Sequence, residues 1–164
     1  MATTATLRRA GPEDAAVVGA LLKASYGALY RGWYPDESLR RALPGLSRPR
    51  SELLAGGRFR LAELGGRPVA CGGWTARPRP GGGGEGHLRQ FATHPRHLRR
   101  GAAGAILEDC LEEARAAGIE TVCVVSSLPA EPFYAAFGFE TTDFALQLAP
   151  GGARFGVALM SREI

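Results

Sequence analysis

Four small residues in a row, Gly101-Ala102-Ala103-Gly104, follow a basic turn that carries Arg96, Arg99 and Arg100. That order suits the binding of a diphosphate. The first amides of a helix have no partner inside it, the macrodipole places partial positive charge at the same end, and a backbone without large side chains lets phosphate oxygens come close. Arginine adds charge-assisted hydrogen bonds. Two familiar phosphate loops are excluded. No Lys-Ser/Thr pair follows the glycines, as a Walker loop requires, and the third glycine of a dinucleotide fingerprint is missing.

The elements around this turn can be read from spacing. His87 to Thr93 is a short strand stopped by Pro95. After Gly104, the apolar residues Ile106, Leu107, Cys110, Leu111 and Ala114 recur at helical spacing, with Glu108, Asp109, Glu112, Glu113 and Arg115 on the other side and Gly118 placed to end the helix. Thr121 to Val125 is apolar and β-branched enough for a buried strand. The three elements make a βαβ unit with parallel strands and a right-handed crossover, which puts the helix N-terminus and the end of the first strand at the same edge of the sheet.

Before this unit the chain predicts a strand over Ala5 to Arg9, a helix from Pro12 to about Tyr30, a second helix from Asp36 to Leu43 interrupted by Pro44, and a helical turn from Ser51 to Leu54. Arg58 to Leu64 and Pro68 to Thr75 read as a hairpin closed by Gly65-Gly66. Arg77 to Gly86, rich in proline and glycine, reads as a loop. After the unit, Glu131 to Phe137 is a short helix closed by Gly138, and Thr141 to Leu148 and Gly156 to Arg162 are strands joined through Pro150-Gly151-Gly152.

The central stretch resembles motif A of the GNAT (GCN5-related) N-acetyltransferases. In that family a strand leads through a V-x-P-like end into R/Q-x-x-G-x-G/A, whose amides bind the pyrophosphate of acetyl-CoA. Here the pattern falls on Thr93-His94-Pro95 and Leu98-Arg99-Arg100-Gly101-Ala102-Ala103, with Ile106 and Leu107 at the paired apolar positions. Leu98 departs from the family's Arg or Gln, and Arg99 and Arg100 follow at once. A second segment, Pro132-Phe133-Tyr134-Ala135-Ala136-Phe137-Gly138-Phe139, is similar to the family's late helix-turn. The element order, β-α-α-β-β-β-α-β-α-β-β, is the GNAT order. The resemblance covers Ala5 to Arg162, most strongly Val69 to Phe139.

The resemblance implies an α/β (α+β) fold in a single domain over residues 1–164: a mixed, mostly antiparallel sheet of about seven strands, with helices on both faces and a splayed parallel pair. It implies transfer of an acetyl group from acetyl-CoA to a primary amine of a small molecule or protein in a ternary complex. By the same resemblance, Gly101, Ala102, Ala103 and Gly104 hold the diphosphate with Arg99 and Arg100, and the main chain of Phe91, Ala92 and Thr93 bonds the pantetheine arm. Tyr134 would protonate the departing thiolate, as a phenol with a reference pKa of about 10 can. The family's base is often a glutamate near the start of the strand; the nearest match is His87, a residue type able to accept a proton from an ammonium group, with Glu85 just before it in the loop. His94 and His97 are expected to meet phosphate or solvent. Tyr26, Tyr30, Trp33 and Tyr34, with Arg31, Arg40 and Arg41, either line an acceptor pocket or are core and solvated surface.

Size and composition agree with these expectations. A chain of 164 residues, 45% hydrophobic and 22% charged, is long enough for one domain with a core. No apolar run approaches a membrane span, and Met1 to Arg9 lacks the apolar core of a signal peptide, so a cytoplasmic location is expected. Cys71, Cys110 and Cys123 have no metal-ligand spacing and are expected as buried thiols; no metal is expected. The net charge of +4 suits an anionic ligand. A DNA-binding reading of Arg96 to Arg115 is disfavoured by the glutamates on that helix. A CoA-binding module without catalysis remains the second reading, and a homodimer is left open.

Overall fold

The computed structural model describes residues 4–164. Seven strands form one sheet: β1 (Thr6–Arg9), β2 (Phe59–Leu64), β3 (Arg67–Pro78), β4 (Gly84–Thr93), β5 (Thr121–Ser127), β6 (Glu140–Leu148) and β7 (Arg154–Glu163), in the order β1-β2-β3-β4-β5-β7-β6. Every neighbouring pair is antiparallel except β4 and β5. The helices are α1 (Ala15–Leu29), α2 (Asp36–Leu46), α3 (Ser51–Ala55), α4 (Ala102–Ala116) and α5 (Glu131–Ala136). No helix among the described residues is long and apolar enough to cross a membrane.

The centre of the sheet is buried on both faces. Val18, Leu21 and Leu22 of α1 pack with Phe59 and Leu61 of β2 and with Cys71 and Ala92. The apolar stripe of α4, Ile106, Leu107, Cys110, Leu111 and Ala114, packs with Ala62, Leu88, Val122 and Val124 on the opposite face, and α5 joins it through Tyr134. Gly104 belongs to this joint: a Cβ there would lie 2.7 Å from the ring of Phe137. Its lack of a side chain is what lets α5 approach α4.

Three expectations are corrected, and one feature is added to them as the third point. First, α2 continues through Pro44 to Leu46. Proline removes one amide, which leaves only the carbonyl of exposed Arg40 to water. The helix then closes on Ser47, whose amide and hydroxyl both donate to the Leu43 carbonyl (2.9 and 2.7 Å). Second, the expected loop from Arg77 to Gly86 shrinks to residues 79–83, because Ala76↔Gly86, Arg77↔Glu85 and Pro78↔Gly84 pair as a hairpin. Glu85 therefore stands on a strand. Third, the polar side of α4 is not wholly solvated. Glu113 accepts from Trp74 Nε1 (2.8 Å), Arg60 Nη2 (2.7 Å) and Arg9 Nη2 (3.1 Å), and Asp109 accepts from Arg60 Nε. Arg60 itself is buried in the middle of β2. Fourth, Cys71 and Cys110 are buried, whereas Cys123 is only half-buried.

Candidate active site

The site is organised by a split in the sheet. β4 pairs with β5 only at Glu85↔Thr121, Gly86↔Val122 and His87↔Cys123, while β5 stays paired with β7 as far as Ser127. From Leu88 to Thr93, one edge of β4 therefore has no strand beside it. A bulge sets the direction of that edge. Cys71 pairs with Ala92 and Gly73 with Arg89, so Gln90 and Phe91 stand against the single residue Gly72. Gln90 takes the left-handed conformation (φ 49°), and its side chain accepts from the Arg50 amide (3.2 Å) and donates to the Arg48 carbonyl (3.0 Å). A Cβ on Gly72 would lie 2.7 Å from the ring of Phe91, so only glycine leaves room for that ring. The extra residue also turns the strand over: Leu88 packs toward α4 and Ala92 toward α1, although residues four apart in a regular strand share a face.

The same geometry sorts the three residues expected to bond a pantetheine arm. The His94 amide donates to the Val69 carbonyl of β3 (2.8 Å). By the two-residue alternation of the ladder, the main-chain groups of Ala92 turn toward β3, and those of Phe91 and Thr93 turn toward the gap. The Phe91 carbonyl already accepts from Tyr26 Oη (3.3 Å).

Beyond the end of β4, the chain makes a 3-10 turn at Pro95–His97 and enters α4 through Gly101, which is left-handed (φ 78°) with open space where a Cβ would stand. The first intrahelical bond runs from the Ala105 amide to the Gly101 carbonyl (3.0 Å), which leaves the amides of Ala102, Ala103 and Gly104 without helical partners. No acidic side chain lies in this first turn to answer the helix dipole. Basic groups gather beside it. Desolvation and the nearby charges of Arg100, His94, Arg67 and Arg96 hold His97 below its ordinary pKa, and its Nδ1 is buried without a partner. Arg67, the first residue of β3, joins this group from a distance in sequence that no local pattern reveals. These features fit a diphosphate.

Tyr134 lies on α5, 5% exposed, with Phe91 edge-on at 6.2 Å and Phe133 and Phe139 at 5.0 and 5.9 Å. Burial pushes its phenol pKa up, so the hydroxyl is protonated at any physiological pH. The tyrosines of α1 form a second group. Tyr26 stacks on Tyr30 (4.9 Å), Tyr30 meets Tyr34 edge-on (5.3 Å), and Tyr34 stacks on Phe155 of β7 (4.4 Å). Tyr34 Oη donates to the Gly156 carbonyl (2.8 Å) and accepts from the Leu128 amide (2.9 Å), tying the α1–α2 connection to β7 and to the end of β5. Burial pushes the Tyr30 phenol up to about 12, against the pull of the Ser127 hydroxyl. Trp33, Arg31, Arg40 and Arg41 are exposed to solvent.

His87 and Glu85 sit at the vertex where β4 and β5 part. Glu85 bonds Arg79 (2.7 Å), and its other oxygen lies 3.4 Å from His87 Nε2, which is buried and has no hydrogen-bond partner. Arg79 first, and His87 after it, hold the Glu85 carboxyl below its ordinary range. Glu85 is therefore an ionised partner for His87 and a poor acceptor of protons near neutrality.

A sheet of this order, opened between its only parallel strands and flanked by a helix with a bare N-terminal turn, defines the class of GCN5-related acetyltransferase folds. The family model described as "Acetyltransferase (GNAT) family" matches residues 21–139, and the chain belongs to that family. It is an acetyltransferase that takes its acetyl group from acetyl-CoA. Among solved structures, it is similar to a GCN5-related N-acetyltransferase from Rhodopseudomonas palustris, at 23% identity and a TM-score of 0.80, with 100% of this chain and 98% of that one covered. It is also similar to the PaiA N-acetyltransferase of Thermoplasma acidophilum in complex with coenzyme A (11% identity, TM-score 0.72, 98% and 99% covered). A third is Arabidopsis thaliana Naa50 in complex with the bisubstrate analogue CoA-Ac-MVNAL (15% identity, TM-score 0.69, 98% and 99% covered). No curated protein matches the chain significantly.

Proposed function

We propose that the protein acetylates a primary amine by direct transfer, with acetyl-CoA laid into the gap between β4 and β5. The observation that carries this reading is the placement of Tyr134 beside Phe91 at that gap, at the same end of the sheet as the bare first turn of α4. The amides of Ala102, Ala103 and Gly104, with Arg99 and Arg100, bind the diphosphate. Phe91 and Thr93 offer main-chain groups to the arm, as an edge strand does to an added strand. His87, with the Glu85 carboxylate 3.4 Å from its Nε2, takes the proton of the ammonium form. The free amine attacks the thioester carbonyl, the carbon–nitrogen bond forms, the carbon–sulfur bond breaks, and the thiolate takes a proton from Tyr134 Oη. No acetyl-enzyme is needed, because positioning both reactants in one cleft removes much of the entropic barrier. Burial pushes the thiols of Cys71 and Cys110 up to about 12 and keeps them inert, so neither serves as a nucleophile.

The pKa mismatch between a buried phenol and a thiol is smaller than it looks. Surroundings that raise Tyr134 also raise a thiol, as Cys71 and Cys110 demonstrate within this molecule. A thiolate expelled beside Tyr134 is desolvated in the same way, which makes it a stronger base than in water.

Thiol release from acetyl-CoA, followed across pH with a panel of small amines and peptide N-termini, tests the reading. Release that depends on the amine, with an acidic limb of kcat/KM that falls most in His87→Ala, supports it. Binding of CoA without amine-dependent release would leave a CoA-binding module. The cradle has its own test. Ala103→Glu places an acid in the first turn of α4, where the dipole favours it, so Tm should hold or rise slightly. The same carboxylate confronts the diphosphate, and CoA affinity should fall by about 10-fold or more. Unchanged CoA affinity in calorimetry would move the diphosphate elsewhere.

A further inference from the structure

We infer that the free edge of β6 is the contact by which two copies of this chain associate. All nine residues of β6 are exposed, and Phe144, Leu146 and Leu148 stand 62, 71 and 70% exposed in a row. Beside them lies an apolar hollow of about 310 Å³ lined by Leu128, Phe144, Ala145, Leu146, Gly156 and Val157. Monomers seldom leave such a patch uncovered. The sheet's other edge is protected. β1 is four residues long, and its Arg8 is bonded to Asp14 and Glu63 while Arg9 is bonded to Glu113. Charge and brevity guard one edge; the opposite edge is nine residues long, and its charges, Glu140 and Asp143, stand at one end, away from the stretch Phe144 to Leu148.

The occupant is a second copy because the strand is complementary to itself. Asp143 Oδ1 accepts the Phe144 amide (2.8 Å), so that amide points away from β7. By alternation, the main-chain groups of Leu146 and Leu148 also face the open edge. A two-fold axis at Leu146 pairs these groups, sets Phe144 against Leu148 of the second copy, and keeps the Asp143 carboxylates far apart. Such a contact closes on itself, whereas β6 joining β1 of another copy would propagate and meets the guarded edge. A nine-residue strand is about 30 Å long, and with side chains on both faces it presents roughly 600 Å² per copy. The pair then buries about 1,200 Å², the lower bound for a specific interface.

Sedimentation at tens of micromolar protein should therefore show a dimer. Leu146→Lys places two ammonium groups at the axis and should raise the dissociation constant by at least about 100-fold, with the protomer still folded because the side chain is exposed within it. Leu146→Cys gives a reading that does not depend on that variant folding. The paired residues at the axis lie about 5.5 Å apart at Cα, within disulfide range, so mild oxidation should cross-link this variant to itself. Thiols at Thr141→Cys would lie roughly 30 Å apart and should not join. A wild-type monomer at about 100 µM overturns the inference and leaves the edge to another protein. So does a dimer unaffected by Leu146→Lys, or cross-linking at residue 141 as ready as at 146.

Discussion

Tyr134→Phe should lower kcat by about 10²–10⁴-fold while leaving CoA affinity near normal. The ring, which carries the contacts with Phe91, Phe133 and Phe139, is retained, and only the hydroxyl is lost. Stability should therefore change little. The comparison is made with a working acceptor, under conditions where the chemical step limits turnover, and single-turnover kinetics separates chemistry from product release. A variant with full kcat under those conditions assigns Tyr134 to packing and leaves protonation of the thiolate to solvent.

The largest effect on stability is expected far from the cleft. Glu113→Ala removes the acceptor shared by Trp74 Nε1, Arg60 and Arg9, and leaves the buried Arg60 guanidinium with Asp109 as its one carboxylate partner besides the Arg58 carbonyl. Breaking a buried pair costs about 3–5 kcal/mol; the Glu113 side chain keeps 23% of its exposure, which reduces the expected loss to about 2–4 kcal/mol in denaturant unfolding. The pH dependence has a definite sign. Burial pushes the Glu113 carboxyl up, but Trp74 and Arg60 outweigh it and hold the pKa below its ordinary value. The contribution is then complete above about pH 4.3 and is lost as pH falls through the depressed value. Acid unfolding of the Glu113→Gln variant should accordingly be less steep in that window.

Much of this was legible in residue spacing, and the failures have local causes. The βαβ unit is readable because Ile106, Leu107, Cys110, Leu111 and Ala114 mark a helical face between two apolar strands. Pro44 misleads because proline's penalty depends on whether the abandoned carbonyl can reach water. Gly84 and Gly86 look like loop residues, yet in a hairpin they permit close approach: a Cβ on Gly84 would lie 2.9 Å from the Arg77 carbonyl. Arg60 reads as a solvated charge because its partners, Asp109 and Glu113, are some fifty residues away. At the candidate site, the turn from Arg96 to Gly104 is contiguous, so a local pattern is enough to nominate it. Arg67, Gln90 and Tyr26 come to it only through tertiary contacts, and Gly104, which looks like part of the phosphate cradle, also has the separate task of admitting Phe137.

The three paired positions that join β4 to β5 bear on how the molecule holds together. They are the only ladder bridging the two parts of the sheet, and parallel pairing is the weaker kind. A ligand whose arm runs along β4 supplies part of the strand that is missing from the seam, so substrate and scaffold share one cohesive unit. Linkage then makes the donor a stabiliser whose effect grows with the logarithm of its concentration over its dissociation constant. In a cell, the lifetime of the protein against unfolding would rise and fall with the supply of the acetyl donor it consumes.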